Sequence, residues 1–249
     1  MIDVKGWARR MGKAVSALTE LPPVQEDGED TQAENEANGR RQENRGGTPP
    51  LSERSIERIP PGQKITNSWP RLDDGNIPSL PDTMWSVSVE RAASSRSVFS
   101  LDKLALMPMR EMIADIHCVT GWSRLDMTWK GVQARVFAEH VGLDITQGWV
   151  MARSVDGYCA NIPMARFMDE NTMLAMEVNG SPLSREHGGP VRLLIPSLYL
   201  WKSVKWLAAV ETLIQDCRGT WEQRGYHNNG DPWLSERWRL AEKPEDGYP

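Results

Sequence analysis

Between Val24 and Pro50 the chain reads VQEDGEDTQAENEANGRRQENRGGTPP, and this stretch sets the first limit on any fold. It holds almost no large apolar side chains and is dense in Glu, Asn, Gln and Gly. A segment of that kind buries too little surface to offset the entropy lost on ordering. Residues 21–55 are therefore expected to be a disordered acidic linker. Upstream of it, Val4, Trp7, Met11, Val15 and Leu18 recur at helical spacing, with Lys5, Arg9, Arg10 and Lys13 between them. That pattern predicts a short amphipathic basic helix within residues 1–20, either packed on its own domain or free to dock a partner. Residues 56–249 remain for the globular part, which is long enough for a real core.

Within that part the periodicities are short. Pro and Gly punctuate IERIPPGQKITNSWPRLDDGNIP, which reads as extended chain and turns. TMWSVSVE alternates as a strand does, and SLDKLALMPMREM reads as a short helix capped by Ser100. MIADIHCV is a predicted strand, while Val132, Val136 and His140 or Val141 mark a helical face. GWVMARSV, TMLAMEVNGSPL and GGPVRLLIP are predicted strands, the second closing on an Asn179-Gly180 turn. No repeat and no βαβ alternation is visible. The expected class is α+β, rich in short strands and long loops.

The charge balance narrows function. A formal charge of −5 and a pI near 5.5 argue against a nucleic-acid binder, whose footprint is a basic face. No apolar run is long enough to span a bilayer. The Arg9-Arg10 pair in WARRMGKAVSALTE suggests twin-arginine export, but the apolar run after it stops at Thr19 and Glu20, so a cytoplasmic location is expected. Three cysteines, Cys118, Cys159 and Cys217, form no CxxC pair and no zinc-ribbon spacing, which fits a reducing compartment rather than a disulfide framework.

Cys118 lies in DIHCVTGWSRLD and allows three readings. It is a buried thiol, a nucleophile served by a distant histidine, or a metal ligand. Zinc has enough His and Cys in number, but none at ligand spacing within one element. Other stretches bear on the choice. EHGGPVR places His187 and Arg192 about a Gly-Gly-Pro bend, where glycines let backbone amides approach a ligand. WKSVKWL offers the hydroxyl of Ser203 and the cation of Lys205, both suited to phosphate. RGYHNNGDPW is a polar, aromatic loop near the end.

Taken in order, ERIPPGQKITNSWP, DIHCVTGWSRLD, EHGGPVR, WKSVKWL and RGYHNNGDPW resemble the molybdopterin-binding domain of the sulfite oxidase family, over roughly residues 56–240. The resemblance implies a strand-rich sulfite-oxidase-type fold and one molybdenum–molybdopterin per chain, with Cys118 as metal ligand. It implies cofactor contacts from Asn67, His117, Ser154, His187, Arg192, Ser203, Val204 and Lys205. The implied reaction is two-electron oxygen-atom transfer on a small-molecule substrate: reduction of an S- or N-oxide, or oxidation of a sulfur compound. Sulfite oxidases carry paired arginines four and five residues beyond the ligand cysteine. Here those positions are Trp122 and Ser123, which suits a bulkier or less charged substrate, with Arg124 one step on as partial compensation. No haem module and no immunoglobulin-like dimerisation domain is visible, so electrons are expected to pass through a separate carrier. Two other classes stay open: a non-catalytic binding module on the same fold, and a zinc or thiol hydrolase using Cys118.

Overall fold

The protein is described by a computed structural model covering residues 57–72, 77–90 and 96–241. The expected helix at 1–20 and linker at 21–55 lie outside the described residues. Apart from Leu72, the described residues belong to one compact unit.

Two sheets carry the chain. The first is built on a long hairpin of β4 (Met109–Cys118) and β5 (Trp122–Gln133). The short β1 (Lys64–Ile65) runs parallel to the start of β5, while β8 (Met173–Val178) pairs antiparallel with its far end. β8 in turn holds β9 (Ser181–Pro182) and β10 (Arg192–Leu194). In the second sheet the order is β3 (Arg96–Ser100), β2 (Ser86–Glu90), β11 (Leu207–Leu213), β6 (Trp149–Ser154) and β7 (Cys159–Pro163). β11 is parallel to β2, and every other pair in this sheet is antiparallel.

Helices are short: α1 (Leu101–Ala105), α2 (Ala134–Val141), α3 (Met164–Phe167) and α4 (Thr220–Gln223). Ser100 caps α1 as expected, its hydroxyl accepting from the Lys103 amide. The helix stops at Ala105, however, and Met109 already belongs to β4. Val132, expected on a helical face, is the penultimate residue of β5. The larger core gathers Trp85, Phe137, Phe167, Leu193, Trp206 and Val210 from the second sheet, the helices, β10 and the segment before β11. A smaller one packs Met112, Ile116, Trp129, Met173 and Leu194 against Trp69 and Trp122.

The β4–β5 hairpin is not regular, and its irregularity sets where its tip points. Its register shifts between Ala114 and Ile116, opposite Asp126 at φ 56°. A bulge of this kind bends and twists the strand carrying it. Arg58 clamps the bulge, donating to Asp115 at 2.8 and 2.5 Å and to Asp126 at 2.8 Å. Beyond the bulge the ladder resumes with His117 opposite Ser123 and Cys118 opposite Trp122.

Candidate functional site

Cys118 ends β4 at the tip of this hairpin, where the chain turns through Val119, Thr120 and Gly121. The Gly121 amide donates back to the Cys118 carbonyl at 3.0 Å, and φ at Gly121 is +97°, a region costly for residues with a Cβ. The thiol is buried and unpaired, sharing a hydrogen bond of 3.1 Å with the Thr120 hydroxyl. Burial raises its pKa; the Thr120 contacts and the nearby charge of Arg237 pull the other way. His117 is buried beside it, its Nδ1 2.8 Å from the Ser123 hydroxyl. Burial lowers its pKa to about 4, so the ring is neutral at pH 7. Cys118 and His117 do not pair as nucleophile and base, because the imidazole meets Ser123 and the thiol meets Thr120.

The second part of the site is made by two segments lying side by side. The bend Glu186–Arg192 contains a cis Gly189–Pro190 peptide bond, with Gly188 at φ +100°. A Cβ on Gly188 would come within 2.9 Å of the Lys205 Cα, so glycine is what allows the segments to touch. Between them the Trp206 amide donates to the Gly188 carbonyl at 3.0 Å and the Leu207 amide to Val191 at 2.9 Å. The Lys205 ammonium donates to the Glu186 carbonyl at 3.0 Å. Arg192 is 2% exposed, and its guanidinium donates to the carbonyls of His187 at 2.9 Å and Ser203 at 2.7 Å. Burial pushes its pKa down to about 10, which still leaves it charged at neutral pH.

Trp69 joins the two parts. It follows β1, which is stitched to the start of β5 by the Thr66 amide donating to the Ser123 carbonyl at 2.9 Å. Its indole stacks on His187 with centroids 3.8 Å apart and planes 3° from parallel, and Arg192 sits 5.8 Å from the ring centroid. His187 has a pKa near 4, lowered first by burial and then by the charges of Lys205, Arg192 and Arg124. The charge of Arg124, on β5, is the smallest of these influences on His187.

The remaining predicted residues divide. Ser203 spends its hydroxyl on the Ile195 amide at 2.9 Å, and Val204 is fully buried with its carbonyl accepting from Leu193 at 2.9 Å. Both thus shape the segment through the backbone. Ser154 sits at the end of β6 opposite Leu207, its buried hydroxyl without a partner. Asn67 is exposed, two residues before Trp69. Trp122 is half-buried against the smaller core. Three contributors escaped the sequence reading: Gln63, whose amide donates to the Cys118 carbonyl at 3.1 Å, Trp69 and Arg237. Gln63 and Trp69 lie in a conspicuous motif and Arg237 in none, and a contact between distant segments leaves no local pattern.

The donor set suits a molybdenum–molybdopterin cofactor. A soft thiolate is available at Cys118. The buried Arg192 Nε and Ser154 Oγ lack partners, and a buried donor left unpaired carries a cost that a polar ligand removes. Lys205 adds a compact charge for phosphate. Among the described residues no three His, Cys, Asp or Glu side chains group as a cation site. No described helix is long and apolar enough to cross a membrane.

Comparison with known proteins agrees. The family model for the oxidoreductase molybdopterin binding domain matches residues 74–221, a span that includes every candidate residue except Asn67. An uncharacterized oxidoreductase, YuiH of Bacillus subtilis, is 41% identical over 181 residues, covering 72% of this chain and 91% of the relative. A putative protein-methionine-sulfoxide reductase subunit, YedZ1 of Azospira oryzae, is 27% identical over 68% of this chain and 65% of its own. Human mitochondrial sulfite oxidase is 29% identical over 70% of this chain, which spans 39% of that enzyme. Among solved structures, the sulfane dehydrogenase SoxCD of Paracoccus pantotrophus shares the fold, with a TM-score of 0.52 at 20% identity over 60% of this chain and 42% of its own. The expected α+β class and the expected cofactor both hold: the chain belongs to the molybdopterin-binding oxidoreductases of sulfite oxidase type.

Proposed function

We propose that the chain carries out two-electron oxygen-atom transfer on a small sulfur or nitrogen compound, with Cys118 holding the metal. The observation that supports it most is the buried, unpaired Cys118 thiol at the tip of a clamped hairpin, joined through Trp69 to the His187–Arg192 bend. When bound, the cofactor supplies the two-electron couple and the oxygen-transfer chemistry. Cys118 contributes a soft anionic ligand, held in place by Thr120 and the Gly121 turn. Neutral His187 and charged Arg192 offer donors for the pterin ring, and Lys205 a charge for its phosphate. The same reading counts His117, Ser154 and Asn67 among the cofactor contacts. Arg124, two positions beyond Trp122 on β5, supplies positive charge that attracts an anionic or strongly dipolar oxide.

This reading assigns residues 56–249 to the catalytic domain. It requires a separate electron carrier, for which the N-terminal arm is a candidate tether. The two other thiols, half-buried Cys159 and exposed Cys217, are unpaired and suit a cytoplasmic location.

The test begins with metal analysis of protein made in a host that builds the cofactor, where about one molybdenum per chain is expected from a single thiolate site. Cys118→Ser should lose turnover and the oxidised chromophore while keeping the fold, and Cys159→Ser should keep all three. The reverse pattern, or zinc in place of molybdenum, would overturn the assignment. A screen of S-oxides, N-oxides and reduced sulfur compounds with a viologen dye then identifies substrate and direction.

A further inference from the structure

The carbonyls of the cysteine turn are held from the two ends of the domain. Gln63, 55 positions before the cysteine, donates to the Cys118 carbonyl at 3.1 Å. Arg237 donates through Nη1 to the Val119 carbonyl across 118 positions. Nothing in the family match covers this arginine, which lies beyond residue 221.

Arg237 is itself held from several sides. Its amide donates to the Ser235 carbonyl at 2.8 Å, beside a left-handed Ser235 at φ 55°, and its carbonyl accepts from the His227 amide at 3.2 Å. The guanidinium lies 5.5 Å from the centroid of the buried Tyr199 ring. The Tyr199 hydroxyl is close to both Gln63 and Arg237, without a hydrogen bond of regular geometry. Gly62, next to Gln63, approaches the same guanidinium, since a Cβ there would stand 3.7 Å from Nη2. Gln63, Tyr199 and Arg237 thus form one cluster against the back of the Cys118–Gly121 turn.

We infer that Arg237 is a positioning residue for the metal-ligating thiolate. Through the Val119 carbonyl and the Tyr199 face it fixes the turn, and hence the direction in which Cys118 presents its sulfur. The inference rests on Cys118 being the ligand. A charge-assisted bond to a main-chain carbonyl is well suited to this task, because it restrains the backbone while leaving the thiol itself unencumbered. The planar guanidinium matters as much as the charge, for it must lie over the Tyr199 ring and reach the carbonyl in one orientation.

Holoenzyme carrying R237M, R237K or R239M tests this. Arg239 is the control: it sits on the same terminal segment, but its guanidinium donates to the Glu222 carbonyl at 3.0 Å. R237M should retain molybdenum while its sulfur-to-metal charge-transfer absorption, measured per molybdenum, shifts, and kcat should fall about ten- to hundredfold with little change in KM. R237K should move the band less, and R239M should leave it at the wild-type position. If R237M emerges without metal, R237K carries the test, and a displaced band there supports the inference. An unmoved band in R237M or, where it lacks metal, in R237K, or an equal displacement in R239M, would show that Arg237 merely closes the terminal segment. Cys118→Ser separates the two levels. If it abolishes the band while R237M leaves it untouched, the ligand assignment stands and the Arg237 inference falls. If Cys118→Ser keeps the band, the ligand assignment fails first.

Discussion

Arg192 and Lys202 lie ten residues apart, and both are almost wholly removed from water, at 2% and 0% exposure. Their surroundings differ in kind. Lys202 donates to Asn161 at 2.8 and 2.9 Å and to the Asn228 carbonyl at 2.5 Å, and it pairs with the buried carboxylate of Glu222 at 2.7 Å. Asp216 ties Asn161 and Asn228 together from the other side, at 2.7 and 2.6 Å. Arg192 donates only to carbonyls, and its Nε has no partner. One cation is neutralised within the protein; the other is left with donor capacity and no counter-anion in contact. Buried charges without a carboxylate are costly, so the second arrangement is the one that suits an incoming anion. The motif WKSVKWL thus contains two lysines with different work: Lys202 closes a structural cluster, and Lys205 faces the bend.

The largest effect should come from breaking the closed cluster. Lys202→Met should destabilise the apo-protein by about 3–5 kcal/mol in urea unfolding, because Glu222 is stranded as a buried charge. Adding Glu222→Gln should recover a large part of that loss, since the two sites are in contact and not additive. Recovery of nothing would mean the pair is not the source of stability.

Arg192→Gln should instead separate stability from loading. The apo fold loses about 1–3 kcal/mol through two carbonyls left without donors. Pterin and molybdenum content should fall about tenfold or more, the equivalent of losing one charge-assisted bond. A variant that unfolds like Lys202→Met but loads normally when stabilised would erase the contrast between the two cations. Lys205→Met, at the half-buried edge, should lower cofactor content by less and leave the urea midpoint nearly unchanged.

The smallest effect concerns pH. His187 has a folded pKa near 4 against an ordinary 6.5, chiefly through burial and secondarily through Lys205 and Arg192. Between these values the unfolded chain binds more protons, so stability rises with pH across that window. The contribution of neutral His187 is complete above about pH 6.5 and is lost as pH falls toward 4. The apo-protein's urea midpoint should therefore decline from pH 7 to 4.5, and His187→Gln should make that decline shallower. An equal slope in both proteins would place the titration elsewhere.

The sequence made some of this legible for identifiable reasons. TMWSVSVE alternates well enough to be read as a strand, as Ser86–Glu90 is, and the Asn179-Gly180 turn announces itself, both residues adopting positive φ. The longest described strand, Trp122–Gln133, carries the same kind of signal over Leu125–Lys130, where apolar and polar residues alternate. Yet only Val132 was read from it, as part of a helical face; the bulge at Asp126 sits where the alternating run begins. Likewise Val204 and Ser203 were recognisable as a motif, but their roles are carried by main-chain and buried contacts that no side-chain inventory reveals. The site residues legible in advance sit in dense local motifs. Those that were missed, Gln63 and Arg237 above all, act on carbonyls far away along the chain.

The Arg237–Val119 contact has a consequence for the order of events in biosynthesis. It closes a loop of 118 residues, and closure entropy makes long-range contacts of this kind slow to form relative to local hairpins. On a ribosome the β4–β5 hairpin emerges well before the arginine is synthesised. The cysteine turn therefore passes through a period in which Gln63 can restrain it and Arg237 cannot. Cofactor insertion during that interval would meet a turn still free to adjust, whereas insertion afterwards would meet one already fastened from both directions.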